Sequence, residues 1–234
     1  MELFPSALAI IAAASSAVYA KRVITFADIE AARQRIEGAV YLSPCPHSIP
    51  LSEITGMKNF CKLDNLQRTG SFKERGARNA LSQLPEEEKR RGVIAASAGN
   101  HAQALAYQGR LLGIPATVVM PKHAPLIKVT NCQKLGANVV LDGNDFGEAK
   151  KRAHEIAQEE GLAYIDGYDD PAIIAGQGTA GLEILDQVPD LDAVLVPVGG
   201  AGELQRRELL PWDRRLEVDV LRREVEDKLL VGGR

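Results

Sequence analysis

The sequence has little from which to build a disulfide framework or a metal centre. Its three cysteines, Cys45, Cys61 and Cys132, are scattered with no CxxC pair, and none of the four histidines stands where a zinc ligand would. They read as reduced thiols, which suits a reducing compartment. Charge of one sign is scarce too. With 28 Lys and Arg against 31 Asp and Glu, the net charge is -3 and no long basic run occurs, which excludes the electrostatic footprint of a nucleic-acid binder. A convincing export signal is also wanting. Residues 3–20 are almost free of charge and end in Val18, Tyr19 and Ala20, a small-residue pattern like a signal-peptidase site. Yet no Lys or Arg precedes them, Glu2 has the wrong sign, and Pro5 and several serines dilute the run. The stretch is read as a leader, residues 1–21, on a cytoplasmic protein.

What remains is ordinary for a globular chain: 45% hydrophobic and 25% charged residues leave no room for a disordered or collagen-like class. From residue 59 onward, short apolar runs rich in β-formers alternate with longer stretches of helical period, as in an α/β protein with a largely parallel sheet. Strands are predicted at 59–63, 93–96, 116–120, 138–141, 163–165 and 193–198. Helices are predicted at 72–84, 102–112, 127–135, 146–159 and 173–187. Gly113, Gly136 and Gly161 stand where helices end, and Pro115, Pro121 and Pro171 mark boundaries because proline cannot continue a helix. In such sheets ligands bind in the loops past the carboxyl ends of the strands.

Three of those loops carry unusual residues. In TGSFKERGA, at 69–77, a polar turn precedes Lys73 at the opening of a helix, close to free backbone N–H groups and the positive end of the dipole. There, beside Arg75, the ammonium form is disfavoured and the amine is readied as a nucleophile towards a carbonyl. In ASAGNHAQ, at 96–103, Ser97, Ala98 and Gly99 leave a strand, and Asn100 and His101 start a helix, which offers backbone donors to a carboxylate. In PVGGAGE, at 197–203, Gly199, Gly200, Ala201 and Gly202 form a turn able to nest an anion. That turn lacks the lysine of a P-loop and is not spaced as GxGxxG. Taken singly, each has a plainer reading: Lys73 a solvated helix lysine, Asn100 an N-cap, His101 a packed histidine, and the glycines a turn and nothing more.

Order and spacing bring the three together. DNLQRTGSFKERGA, then SAGNHAQALAY, GQGTAGLEI and VPVGGAG resemble the threonine/serine dehydratases (threonine ammonia-lyases), which are fold-type II pyridoxal-phosphate enzymes. The resemblance runs from about residue 23 to 202. It implies the tryptophan synthase β-like fold: two parallel-sheet α/β domains, a smaller one of residues 93–160 set within a larger cofactor domain of 22–92 and 161–204, the larger incomplete in this chain. It further implies that Lys73, with Phe72 beside it, carries pyridoxal 5'-phosphate and later serves as base at the substrate α-carbon. Asn100 would hydrogen-bond the cofactor's ring hydroxyl, and Gly199, Gly200, Ala201 and Gly202 would wrap its phosphate. Ser97, Ala98, Gly99, Asn100 and His101 would receive the substrate carboxylate. The implied reaction is dehydration of L-threonine or L-serine to 2-oxobutanoate or pyruvate plus ammonia, with no catalytic metal. The implied partner is a small amino acid, not a nucleic acid or a membrane, and a homo-oligomer stays open. Ala98 stands where serine racemases of this group have a second serine, so elimination is favoured over racemisation.

The pattern also breaks. The family's phosphate loop usually has four glycines and then an apolar residue, whereas here Ala201 takes the third place and Glu203 follows. Alanine at positive φ costs about 1–2 kcal/mol, and a carboxylate some 6 Å from a phosphate charge repels it by roughly 3 kcal/mol at an effective dielectric of 20. Residues 205–234 do not resemble the family. They read as a charged tail with an amphipathic helix near 213–230. A catalytically inactive homologue, acting as an interaction module or an unstable fragment, and a serine racemase-like enzyme are the alternative readings.

Overall fold

The computed structural model describes residues 24–196 and the backbone of Leu229–Gly233. The leader, the glycine turn at 199–202 and nearly all of the expected tail helix lie outside the described residues. The last two positions of that helix, Leu229 and Leu230, belong to a strand instead. They head a short apolar run closed by two glycines, and glycine disfavours a helix.

Helix α1 (Phe26–Ile36) opens with a capping box. The Thr25 hydroxyl accepts from the Asp28 amide, and the Asp28 carboxylate takes the Thr25 amide in return. Next come α2 (Ile49–Thr55), β1 (Lys58–Lys62) and a short 3-10 turn at Asp64–Leu66. They lead into α3 (Lys73–Gln83) and α4 (Glu86–Arg91). Strand and helix then alternate through β2 (Val93–Ala96), α5 (Asn100–Leu112), β3 (Ala116–Met120), α6 (Leu126–Lys134) and β4 (Asn138–Leu141). The alternation continues with α7 (Phe146–Glu160), β5 (Ala163–Tyr164), α8 (Pro171–Gln187) and β6 (Ala193–Leu195), and β7 (Leu229–Gly233) is the last strand. Apart from the tail helix, each expected strand and helix has a counterpart in this order, the last expected strand being described over Ala193–Leu195. Pro171 begins α8 rather than merely excluding a helix, because Asp170 caps the Ala172 and Ile173 amides and a proline in the first turn sacrifices no hydrogen bond. Helices α1, α2 and α4 were not foreseen. Helix α4 has no apolar stripe to detect: its sequence EEEKRR is held by acids in its first turn and bases in its last.

Four strands form a parallel sheet in the order β4-β3-β2-β5. Strand β2 is buried along its whole length, as expected of a strand covered on both faces. Val93 and Ala95 face a cluster with Leu81, Leu105, Ile165 and Ile173, while Ile94 and Ala96 face Ala149, Ala153 and Ile156 of α7. The second sheet has the order β1-β7-β6, with β7 antiparallel to both neighbours, so β1 and β6 run parallel to each other. All three cysteines are free, and burial pushes the Cys45 and Cys132 thiols up to about 11. No helix among the described residues is long and apolar enough to cross a membrane.

Candidate active site

Lys73 is the first residue of α3, and two interactions prepare its place. The buried Glu74 carboxylate reaches back to the Thr69 amide, and the Lys73 amide donates to Ser71 Oγ at 3.4 Å. Below them, Arg75 is wholly buried. Its guanidinium donates to Asp64 (Nε–Oδ2 2.8 Å, NH2–Oδ1 2.9 Å), to Glu183 (NH1–Oε1 2.6 Å, NH2–Oε2 2.7 Å) and to Thr179 Oγ1 at 3.2 Å. Lys62 joins Glu183 at 2.6 Å and the Ser43 carbonyl at 2.6 Å. Burial alone would raise the Asp64 carboxyl, but the Arg75 guanidinium holds it below its usual value.

Helix α8 is clamped onto α3 by the same cluster. Gln177 Oε1 accepts from the Gly76 amide at 3.2 Å. Gly176 lies so close to α3 that an added Cβ would fall 2.6 Å from Gly76 Cα. The GQGTAG stretch therefore sits inside a helix as a docking surface for α3, despite spacing that mimics a dinucleotide loop.

The Lys73 amine leaves this scaffold towards the loop after β5. Its Nζ donates to the Gly167 carbonyl at 3.1 Å and lies 5.0 Å from the Phe72 ring centroid and 4.8 Å from that of Tyr168. Phe72 is buried. Gly167 backs onto His101 so tightly that a Cβ on it would meet the imidazole Cγ at 2.7 Å. The first two predicted loops thus meet at Gly167.

In the second loop, the Ser97 amide donates to the Val119 carbonyl at 3.1 Å, and Ser97 Oγ accepts from the Gly99 amide at 3.2 Å. Ala98 packs on the cluster of Ala102, Val118 and Met120. Gly99 is the N-cap of α5 and brings no capping side chain; a Cβ on it would meet nothing within 4 Å, so the backbone there is open to a ligand. Asn100 and His101 form the first turn of α5. The His101 ring, however, turns inward: it is 5% exposed, with Nε2 3.2 Å from the Ile165 carbonyl. Burial, helped by the charge of Lys73, lowers its pKa to about 4, so the imidazole is neutral. Any contact of His101 with a substrate falls to its backbone. Gly199, Gly200, Ala201 and Gly202 lie outside the described residues. Among the described residues no group of three His, Cys, Asp or Glu could hold a metal ion.

A lysine amine set beside an uncapped helix start is the equipment for an aldehyde cofactor and an anionic substrate group. The family model described as pyridoxal-phosphate dependent enzyme matches residues 36–205. The chain belongs to that family. Among the relatives of the chain, an L-threonine ammonia-lyase of Thermotoga maritima is 49% identical over 180 residues, which are 77% of this chain and 45% of that protein. A threonine deaminase structure from Solanum lycopersicum aligns with a TM-score of 0.71 at 44% identity, covering 76% of this chain and 48% of that one. A serine racemase of Dictyostelium discoideum aligns with a TM-score of 0.81 at 34% identity, covering 87% and 67%. The chain spans about half the length of the curated relatives it matches. Pyridoxal phosphate is the cofactor that family membership assigns, and the described residues are compatible with it, having a lysine amine at Lys73 and an open backbone at Gly99.

The sequence reading missed Gly167 and Tyr168, which meet Lys73 from across the fold. The Asp166-Gly167 pair is a turn signal in the sequence, but nothing local ties it to a lysine 94 residues earlier.

Proposed function

We propose that this protein uses pyridoxal phosphate to deaminate L-threonine, and also L-serine, to 2-oxobutanoate or pyruvate plus ammonia. The observation that carries the reading is the meeting of the Lys73 amine with the first turn of α5 at Gly167. When bound, the cofactor supplies an electron sink for the substrate α-carbon. Lys73 Nζ would hold it and is the base that would take the α-proton, with Phe72 and Tyr168 bounding the space around the amine. Asn100 binds the ring hydroxyl, and Gly199, Gly200, Ala201 and Gly202 receive the phosphate. The Ser97–Ala98–Gly99 turn and the first amides of α5, those of Asn100 and His101 included, hold the substrate carboxylate at the helix's positive end. Neutral His101 adds no charge beside the amine. The smaller lobe, residues 93–160, and the larger one, 22–92 with 161–204, form the two walls. A cytoplasmic location and a homo-oligomer belong to the same reading, to be checked by fractionation and by sedimentation.

The test is uptake and turnover by the full chain. Pyridoxal phosphate should give a yellow protein. Borohydride reduction should leave a pyridoxyl adduct on Lys73 by peptide mass spectrometry, Lys73→Ala should abolish it, and threonine should yield 2-oxobutanoate. An adduct on another residue, or none, sinks the reading in favour of an inactive homologue.

The likeness to a serine racemase favours one second reading, racemisation. Ala98 argues against it, because that chemistry calls for a proton-bearing side chain on the opposite substrate face. Formation of D-serine from L-serine faster than pyruvate would make racemisation the better description.

A further inference from the structure

The loop that receives the Lys73 amine is short, and one carboxylate shapes it. Asp166 follows β5 and the buried Ile165. Its Oδ1 accepts from two successive backbone amides, Tyr168 at 2.8 Å and Asp169 at 3.1 Å, while its Oδ2 takes the Lys150 ammonium of α7 at 3.0 Å. Four residues after Asp166, Asp170 caps α8. The two aspartates thus tie both ends of the short segment between them. The Gly167 peptide is fixed from below by the Asp166 turn and from behind by the His101 ring, and its carbonyl is the acceptor 3.1 Å from Lys73 Nζ. The turn also presents the Tyr168 ring to the same amine at 4.8 Å.

We propose that Asp166 is a positioning residue for Lys73: it locks the loop of residues 166–169, with Lys150 as its anchor on the neighbouring helix, so that the Gly167 carbonyl and the Tyr168 ring hold the amine in place. The proposal builds on the cofactor reading, since a positioned amine matters most if it carries the cofactor. The contact it describes is nevertheless a property of the protein alone. An Asp side chain that accepts two amides makes the turn that Asn also makes, whereas the ion pair needs the charge. The ion pair itself is partly exposed, with the two side chains 40% and 21% accessible, and is the weaker half of the device.

The variants Asp166→Ala, Asp166→Asn and Lys150→Met, made in the full chain, separate the parts. The first readout needs no cofactor: competitive acetylation of the lysines by acetic anhydride, quantified at Lys73 by peptide mass spectrometry, alongside hydrogen exchange of the Tyr168 and Asp169 amides. Asp166→Ala should free both amides to exchange and raise the labelling rate of Lys73 several-fold, with the buried Lys62 unchanged as the internal control of folding. Asp166→Asn and Lys150→Met both lose the ion pair and keep the turn, so the two should fall together, close to the parent and well short of Asp166→Ala, on both readouts. The second readout is the yield of pyridoxyl adduct on Lys73 after reduction, expected to drop in the same order. Unchanged Lys73 labelling in Asp166→Ala, or equal loss in the Ala and Asn variants, overturns the proposal. If the parent protein takes up no pyridoxal phosphate, the cofactor reading fails by itself, while the labelling contrast still decides whether Asp166 positions the amine.

Discussion

Burial in front of the Lys73 amine lowers the His101 pKa from 6.5 to about 4. The sign of the consequence follows from proton counting. Below 6.5 the unfolded chain takes up a proton that the folded chain refuses until about 4, so this residue destabilises the fold increasingly as pH drops through that window and contributes nothing above it. By about pH 5 the penalty is about 2 kcal/mol, from the difference between the two values. The lowered carboxylates Asp64 and Asp166 act in a separate range: their stabilisation is complete above the unfolded value of 3.8 and fades only below it. Urea unfolding at about pH 7 and about pH 5 should therefore show His101→Gln losing about 2 kcal/mol less than the parent between the two conditions. Parallel losses in the two proteins would mean that the ring titrates normally in the fold.

The pairing of α3 with α8 shows what could be read from the sequence at the level of elements and what could not. The lysine segment announced a helix opening at Lys73, and α3 begins there. The rest of that segment, Asp64 and Arg75, gave no hint of its use, because Glu183, which binds Arg75, is 108 residues further along and only the folded chain brings it near. The same holds for His101, whose inward turn depends on Ile165, 64 residues away. A buried ion cluster of this kind contributes little over an apolar core of equal volume, but removing one member strands a charge. Glu183→Gln leaves both Lys62 and Arg75 short of a carboxylate, and should cost about 3–5 kcal/mol in chemical denaturation. Lys62→Met in the same background should recover part of that loss, since it removes one of the stranded cations. No recovery would mean that Lys62 draws its compensation from Ser43 and Gln187 rather than from Glu183.

At the scale of the whole molecule, the parallel β4-β3-β2-β5 sheet was legible because each strand is an apolar run punctuated by glycine or proline. The second sheet was not, because its middle strand comes from a tail whose charge pattern points to a helix. Strands β1 and β6 run parallel, and the strand that joins them is β7, with Phe60 and Val194 both in register with Val231. The backbone of β1 tells its two sides apart. The Cys61 and Leu63 amides donate to the Pro46 and Pro44 carbonyls, and the Asn59 amide donates to Ser52 Oγ. By the alternation of an extended strand, the Phe60 and Lys62 amides point the other way, to β7. Replacing Val231 with proline removes a ladder donor and the fit of the central strand. Hydrogen exchange on that variant should then show Phe60 and Lys62 losing protection by an order of magnitude or more, while Cys61, Leu63 and the amides of β2 and β3 keep theirs. Equal protection at Phe60 and Lys62 in variant and parent would show that β7 does not hold this sheet together. Loss at Cys61 and Leu63 as well would mean that β1 depends on β7 for its place in the fold, beyond the ladder they share.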